Sequence, residues 1–240
     1  MAKSILNRWG IALLLLILLG AGSLWLRNQA EASRLVRTDP ADILTQPDLL
    51  RYAHERAAKV YAANCVSCHG ADRKGDQKRG VPNLVDGSWI YAPNVVDLEH
   101  TITYGIRSGH PKARNVAEMP GFVLIKQLNE TEVNEVAEYV LALSGQPHDE
   151  SQIEAGRKIF YDKGNCFDCH ASDAKGVVDY GAPALLGPDW IYGGDRATLR
   201  RTIYGGRHGK CPAWIDILSP ADIRALAIDL LPARSAASGK

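Results

Sequence analysis

The chain has two methionines, Met1 and Met119, among its 240 residues, and three phenylalanines. Thioether chemistry is therefore confined to Met119 once the initiator is set aside. The chain also lacks a charge bias. A formal net charge of +1 gives no electrostatic footprint for nucleic acid, and no nucleic-acid partner is expected. No alternating apolar and polar run long enough for a strand is present, which argues against a sheet-based architecture and predicts an all-α fold. The length suffices for two domains of about 100 residues each and a tail.

Charge is distributed unevenly along the chain. Residues 1–37 carry five basic side chains against Glu31 alone, residues 38–147 carry 11 basic and 14 acidic, and residues 148–240 carry 12 of each. The middle segment is mildly acidic, which suits either a basic partner or an ordinary solvated surface.

Cysteine is sparse but patterned. Four of the five cysteines form two C-x-x-C-H motifs, Cys65-Val-Ser-Cys68-His69 and Cys166-Phe-Asp-Cys169-His170. This is the haem c attachment pattern, in which two thiols make thioether bonds and the adjacent histidine supplies an iron ligand. Two covalently bound haems c are expected. The backbone carbonyls of Pro82 and Pro183 are candidates to accept the other ring N–H of His69 and His170, which would fix the tautomer; the alternative is that these prolines only shape their loops.

Trp9 to Leu26 is an uncharged run of 18 residues flanked by Trp9 and Trp25. As a helix it spans about 27 Å, close to the apolar thickness of a bilayer. Lys3, Arg8 and Ala30-Glu31-Ala32 also suit a cleaved signal peptide, but the run is longer than the usual h-region, so a retained anchor is expected. Haem attachment in bacterial c-type cytochromes takes place outside the cytoplasmic membrane. The amino terminus is then inside, with the haem domains in the periplasm.

The chain repeats with an offset of 101 residues: Cys65 matches Cys166, Gly80 matches Gly181, Pro82 matches Pro183, Trp89-Ile90-Tyr91 matches Trp190-Ile191-Tyr192, and Thr101-Ile102 matches Thr202-Ile203. Each repeat reads as helix, haem motif, loop, helix, loop, helix. Helices are expected to open at Asp48, at Asp149 with Gln152 as its box partner, after Asn129 with Glu132, and at Ser219 with Pro220 at N1. Ala57 with Tyr61, and Gly156 with Phe160, are small–aromatic pairs that let the first helix of a domain cross its last one closely. The stripes Val133, Val136, Val140, Leu143 and Ile223, Leu226, Leu230 suit helix packing. The organisation expected is a membrane anchor and juxtamembrane segment over 1–37, a cytochrome c domain over 38–147 and a second over 148–240.

His69 and His170 are expected as proximal iron ligands. The first repeat offers Met119, before Pro120, as sixth ligand of the first haem, where a thioether raises the potential. The second repeat has no methionine, and aligning on the x-Pro step puts Cys211, before Pro212, at the matching place. Thiolate ligation by Cys211, helped by nearby Lys210 and His208, would lower the potential of the second haem. Ligation by His208 and an iron without a protein sixth ligand are the alternatives. Trp89, Trp190, Arg107 and Arg207 either contact haem propionates or pack. His54, His100, His110 and His148 lack ligand spacing and are read as surface or helix residues. No catalytic residue is legible.

The segments CVSCHGADRKGD, GVPNLVDGSWIY, TITYGIR, EMPGF and VAEYVLALSGQPHD, with GAPALLGPDWIYGGDRATLRRTIYGGRHG and PAW, resemble the dihaem subunit (subunit III) of cbb3-type cytochrome c oxidases, over about residues 50–231. The resemblance implies a subunit that takes electrons from a soluble or membrane-bound cytochrome c. It passes them through a monohaem cytochrome c subunit to the haem–copper centre of the integral membrane oxidase. Catalysis by the chain alone is not implied. The other readings are an independent dihaem carrier for another respiratory or sulfur-oxidation pathway, and a haem-based sensor or catalyst using the second haem. Family members place methionine where Cys211 stands, and often carry an aromatic- and proline-rich stretch before the anchor that is absent ahead of Trp9.

Overall fold

The computed structural model of the chain describes residues 2–86, 88, 90, 91 and 94–235. Regular structure among these is helical: α1 (Ala2–Arg37), α2 (Pro40–Thr45), α3 (Pro47–Asn64), α4 (Val66–His69), α5 (Val95–Tyr104), α6 (Glu130–Leu143), α7 (Ile153–Tyr161), α8 (Phe167–His170), α9 (Arg196–Gly205) and α10 (Pro220–Ser235). Extended backbone pairs only as isolated bridges. The expected anchor lies wholly inside α1, whose apolar side chains from Trp9 to Leu26 are exposed, as suits a helix made to contact lipid.

The helix ends follow local chemistry. At α6 the Asn129 side chain accepts the Glu132 N–H and the Glu132 carboxylate accepts the Asn129 N–H, a complete capping box. Asp195 caps α9 by accepting the Thr198 N–H at 3.0 Å. Ser219 and Asp222 cap α10 reciprocally, the Ser219 N–H donating to Asp222 Oδ2 at 3.0 Å. Asp149 serves a 3-10 turn, Glu150–Gln152, that precedes α7, rather than α7 itself.

The helices pair across the repeats. One core joins α3 and α5 to α10 and contains Leu49, Ala57, Tyr61, Val95, Leu226 and Ile228. It also takes in Leu35 at the end of α1. The other joins α6 to α7 and α9 and contains Val133, Val136, Val140, Phe160, Leu199 and Ile203. Each core therefore draws on both 38–147 and 148–240. The expected division between residues 147 and 148 follows the sequence repeat, whereas the packing runs across it.

The small–aromatic pairs work as expected, but with a partner from the other repeat. A Cβ on Gly156 would collide with the Glu135 carbonyl and the Tyr139 Cβ, so glycine is what lets α7 lie against α6. Ala53 and Ala57 are fully buried beside Ala225 and Ala227 of α10. Ion pairs reinforce the same pairing: Arg56 of α3 meets Asp222 of α10 at 2.8 Å, His54 and Arg73 converge on Asp229 at 2.6 and 2.7 Å, and Arg224 pairs with Glu99 of α5.

Glu138 is the one fully buried acid among the described residues. Its carboxylate accepts from Arg196 at 2.5 and 2.9 Å and from the Asp149 N–H at 2.8 Å, tying α6 to α9 and to the linker before α7. The Arg196 hydrogen bond is the main cause that holds its pKa below the ordinary 4.5, against the opposing effect of burial. A depressed folded-state pKa contributes stability above the unfolded value and loses it as pH falls. Glu138→Gln is expected to cost about 1–3 kcal/mol at neutral pH. The cost should shrink as pH falls through and below 4.5, which paired denaturant titrations at several pH values will show.

Candidate haem sites

Each C-x-x-C-H motif is wound into one helical turn, the first directly after α3 and the second a short turn after α7. The Cys65 N–H closes α3 on the Tyr61 carbonyl at 2.8 Å, and the His69 N–H returns to the Cys65 carbonyl at 2.9 Å. The second turn matches: the Cys166 N–H reaches the Phe160 carbonyl at 2.9 Å and the His170 N–H the Cys166 carbonyl at 3.0 Å. This winding puts two sulfurs and one imidazole on a single turn.

Both imidazoles are oriented by proline carbonyls, which can only accept. His69 Nδ1–H donates to Pro82 O at 3.2 Å and His170 Nδ1–H to Pro183 O at 2.9 Å. The lone pair is thereby placed on Nε2, the atom an iron ligand must offer. Burial, opposed by the Pro183 hydrogen bond, lowers the His170 pKa and favours the neutral ring. Burial pushes the Cys166 thiol up to about 12 and raises that of Cys65, as expected of sulfurs in apolar walls. Thiols, neutral imidazole and apolar surroundings together fit a covalently attached haem.

The sixth-position residues are not where the repeat order puts them. Met119 packs against the core that contains Phe160, the same core that Cys166 and Phe167 pack against. Burial pushes the Cys211 thiol up to about 11, with Cys65 and Cys68 adding to the same direction. The expectation of a thiolate favoured by Lys210 and His208 meets an apolar setting instead. Met119 thus packs in the lobe of the His170 turn, and the Cys211 backbone pairs with Ile106 in the lobe of the His69 turn, because the loops cross between the cores. His208 stands with its Nδ1 2.7 Å from the Glu118 carboxylate and is largely exposed.

The remaining expected residues have other partners. Arg107 straps two loops, donating to Gly209 O at 2.6 Å and Ala117 O at 3.1 Å. Arg207 stacks 4.1 Å over the Tyr192 ring and donates to Thr202 Oγ1 at 2.6 Å. Trp190 packs on the second core, and Trp89 lies outside the described residues. His54 pairs with Asp229, His100 and His110 flank Tyr104, and His148 bridges the Gln146 carbonyl and Glu150. Sequence reasoning missed one contact: a Cβ on Gly80 would strike the Tyr192 ring, and one on Gly181 the Tyr91 ring. Both pairs fall in segments that match across the repeat, and only their cross-partnering was hidden.

Two helical lobes, each with a haem-attachment turn, define a c-type cytochrome. The family model "Cytochrome c" matches residues 54–144, and the model "Cytochrome C oxidase, cbb3-type, subunit III" matches residues 151–228. The cbb3-type cytochrome c oxidase subunit CcoP of Cereibacter sphaeroides is 40% identical over 201 residues, covering 84% of this chain and 68% of the relative. That of Rhodobacter capsulatus is 39% identical over 208 residues, covering 83% and 69%. A Bradyrhizobium subunit FixP is 41% identical over 189 residues, covering 78% and 63%. The chain belongs to the family of CcoP subunits of cbb3-type cytochrome c oxidases.

The two turns differ at their exits. Gly70 leaves the first at φ 77° and ψ 159°, whereas Ala171 leaves the second at φ 63° and ψ 159°. That region is open to glycine and strained for a residue with a Cβ. Ala171→Gly is expected to stabilise the protein by about 1 kcal/mol, read as a raised denaturation midpoint, with the haem spectrum unchanged.

Proposed function

We propose that this chain is the membrane-anchored dihaem relay of a cbb3-type oxidase. In this reading α1 crosses the bacterial cytoplasmic membrane once and both lobes lie in the periplasm. Electrons enter from a soluble or membrane-bound cytochrome c and leave through a monohaem cytochrome c subunit toward the haem–copper centre that reduces oxygen. The observation that carries the reading is the duplicated turn, with both histidines oriented by proline carbonyls at 3.2 and 2.9 Å.

A bound haem supplies a one-electron ferric–ferrous couple. The residues provide attachment and environment. Cys65, Cys68, Cys166 and Cys169 would form the thioether bonds, and His69 and His170, oriented by the Pro82 and Pro183 carbonyls, would present Nε2 to the iron. The role is electron transfer, with no bond-making residue required.

The reading is tested on the protein purified from membranes in mild detergent. Two haems c per chain by pyridine haemochrome assay and co-purification with the haem–copper subunit are expected. Deletion of the gene should abolish cytochrome c-dependent oxygen uptake by this oxidase. A chain isolated alone, with oxygen uptake intact after deletion, would instead support an independent carrier. Carbon monoxide binding to the reduced protein would support a sensor or catalyst.

A further inference from the structure

We infer that Tyr91 and Tyr192 are reciprocal positioning residues: each is wedged from its own lobe into the loop that orients the proximal histidine of the other lobe, so the ligand strength at each haem iron is set from across the interface. The inference deepens the two-haem relay proposed above and rests on it.

The two histidine-orienting loops share one build. Each starts at the attachment histidine and ends at the proline whose carbonyl accepts from that histidine. In the first, the Gly75 N–H returns to His69 O at 3.0 Å, and Asp76 and Val81 exchange two backbone hydrogen bonds at 2.9 Å. In the second, the Gly176 N–H returns to His170 O at 2.9 Å, and Val177 and Ala182 exchange two at 3.2 Å. A Cβ on Gly75 would run into the Pro82 carbonyl, and one on Gly176 into the Ala182 carbonyl and Pro183, so neither loop has slack behind its acceptor. The tip of each loop is a left-handed glycine, Gly80 at φ +69° and Gly181 at φ +67°. A single residue separates each tip from its proline.

The tyrosines meet those tips. The space that a Cβ on Gly80 would fill holds the Tyr192 ring, and the space beside Gly181 holds the Tyr91 ring. Each ring is backed by a guanidinium anchored in its own lobe. Arg207 lies 4.1 Å from the Tyr192 ring centroid and donates to Thr202 Oγ1 of α9 at 2.6 Å. Arg114 lies 4.5 Å from the Tyr91 ring centroid, donates to Thr101 Oγ1 of α5 at 2.8 Å and pairs with Asp97. Thr101 and Thr202 match under the 101-residue offset, whereas Arg114 and Arg207 do not. The same backing is thus reached from two different registers, which marks the ring position itself as what the fold maintains. The first loop has a further bond across the interface: Gln77 Nε2 donates to Trp190 O at 2.8 Å, two residues before Tyr192. Val178, with no side-chain donor, stands at the matching position of the second loop.

The consequence for the iron runs through the proton on Nδ1. A firm N–H···O bond makes the imidazole a stronger donor, favours ferric iron and lowers the potential. A tip that shifts carries the proline carbonyl with it and weakens that bond. The His69 bond is the longer of the two, at 3.2 Å against 2.9 Å, and is the nearer to the limit of a hydrogen bond. It is also the one whose loop has the additional Gln77 tie.

The test is a redox titration of the full-length holoprotein in detergent. Each haem is followed by its own EPR signal, assigned with variants that lack one pair of attachment cysteines. Tyr192→Leu should raise the midpoint potential of the haem on His69, and Tyr91→Leu that of the haem on His170. Tyr192→Phe keeps the ring and should leave the His69 haem at its original potential. Gln77→Ala, at an exposed position, should raise the potential of the His69 haem by less than Tyr192→Leu does, and it is the variant read if the leucine proteins do not fold. A lowered denaturation midpoint with no shift at the opposite haem, or a shift confined to the haem of the tyrosine's own lobe, overturns the coupling and leaves the two-haem reading standing. Failure of either motif to hold covalent haem in the unaltered chain, measured by pyridine haemochrome, overturns that reading instead.

Discussion

The seating of a glycine backbone against the carbonyl of a residue from the other repeat is the constraint on which the rest depends. Gly206 lies against Met119 and Gly105 against Cys211, both in a conformation that a side chain would obstruct. These contacts come at the ends of α9 and α5, where each helix gives way to the loop that leaves its lobe. Once the strand-like segments after Met119 and Cys211 are bonded there, α6 and α10 have little choice of partner. The α6 stripe falls on α7 and α9, and the α10 stripe on α3 and α5. Burial of these stripes then dominates the energetics, since each large side chain removed from water contributes about 1.5–3 kcal/mol.

Much of this was legible in the residues. The C-x-x-C-H motifs, the capping box at Asn129, Pro220 at the start of α10 and the apolar run inside α1 each follow from chemistry local to a few positions. The proline carbonyls behind His69 and His170 were legible too, because a ligating ring needs an acceptor. The crossing was not. Ala57 with Tyr61 and Gly156 with Phe160 present nearly the same small–aromatic face, and the Val133 and Ile223 stripes are both generic. A tandem repeat offers each helix two nearly equivalent partners, and periodicity cannot choose between them. The glycine seats make the choice, and the short path from Leu143 to Ile153 agrees with it by turning α6 back onto α7, with Glu138 bonding the Asp149 N–H inside that turn.

The crossing also changes what Cys211 means. Read along the chain, it belongs to the second repeat. Read in space, its backbone is paired with Ile106 at the end of α5, in the lobe of the first attachment motif, and burial there raises its thiol pKa. A neutral thiol is favoured there in the absence of iron, because burial disfavours the anion. A metal reverses that preference, since coordination deprotonates a thiol outright. His208 stands apart from this setting, 2.7 Å from the Glu118 carboxylate.

The anchor belongs to the same lobe. Leu35, at the end of α1, is fully buried in the core with Leu49 and Ile228, and Thr38 O accepts from Arg224 of α10 at 2.9 Å. Higher up the helix, Asn28 Oδ1 accepts from the Tyr52 hydroxyl of α3 at 3.0 Å. Side chains from α3 and α10 therefore grip α1 over its last turns. A helix gripped in this way is continuous with the core of the lobe rather than joined to it by a flexible linker. The lobe carrying Cys65, Cys68 and His69 is the one so held, and the other lobe is held to it by the loops they exchange.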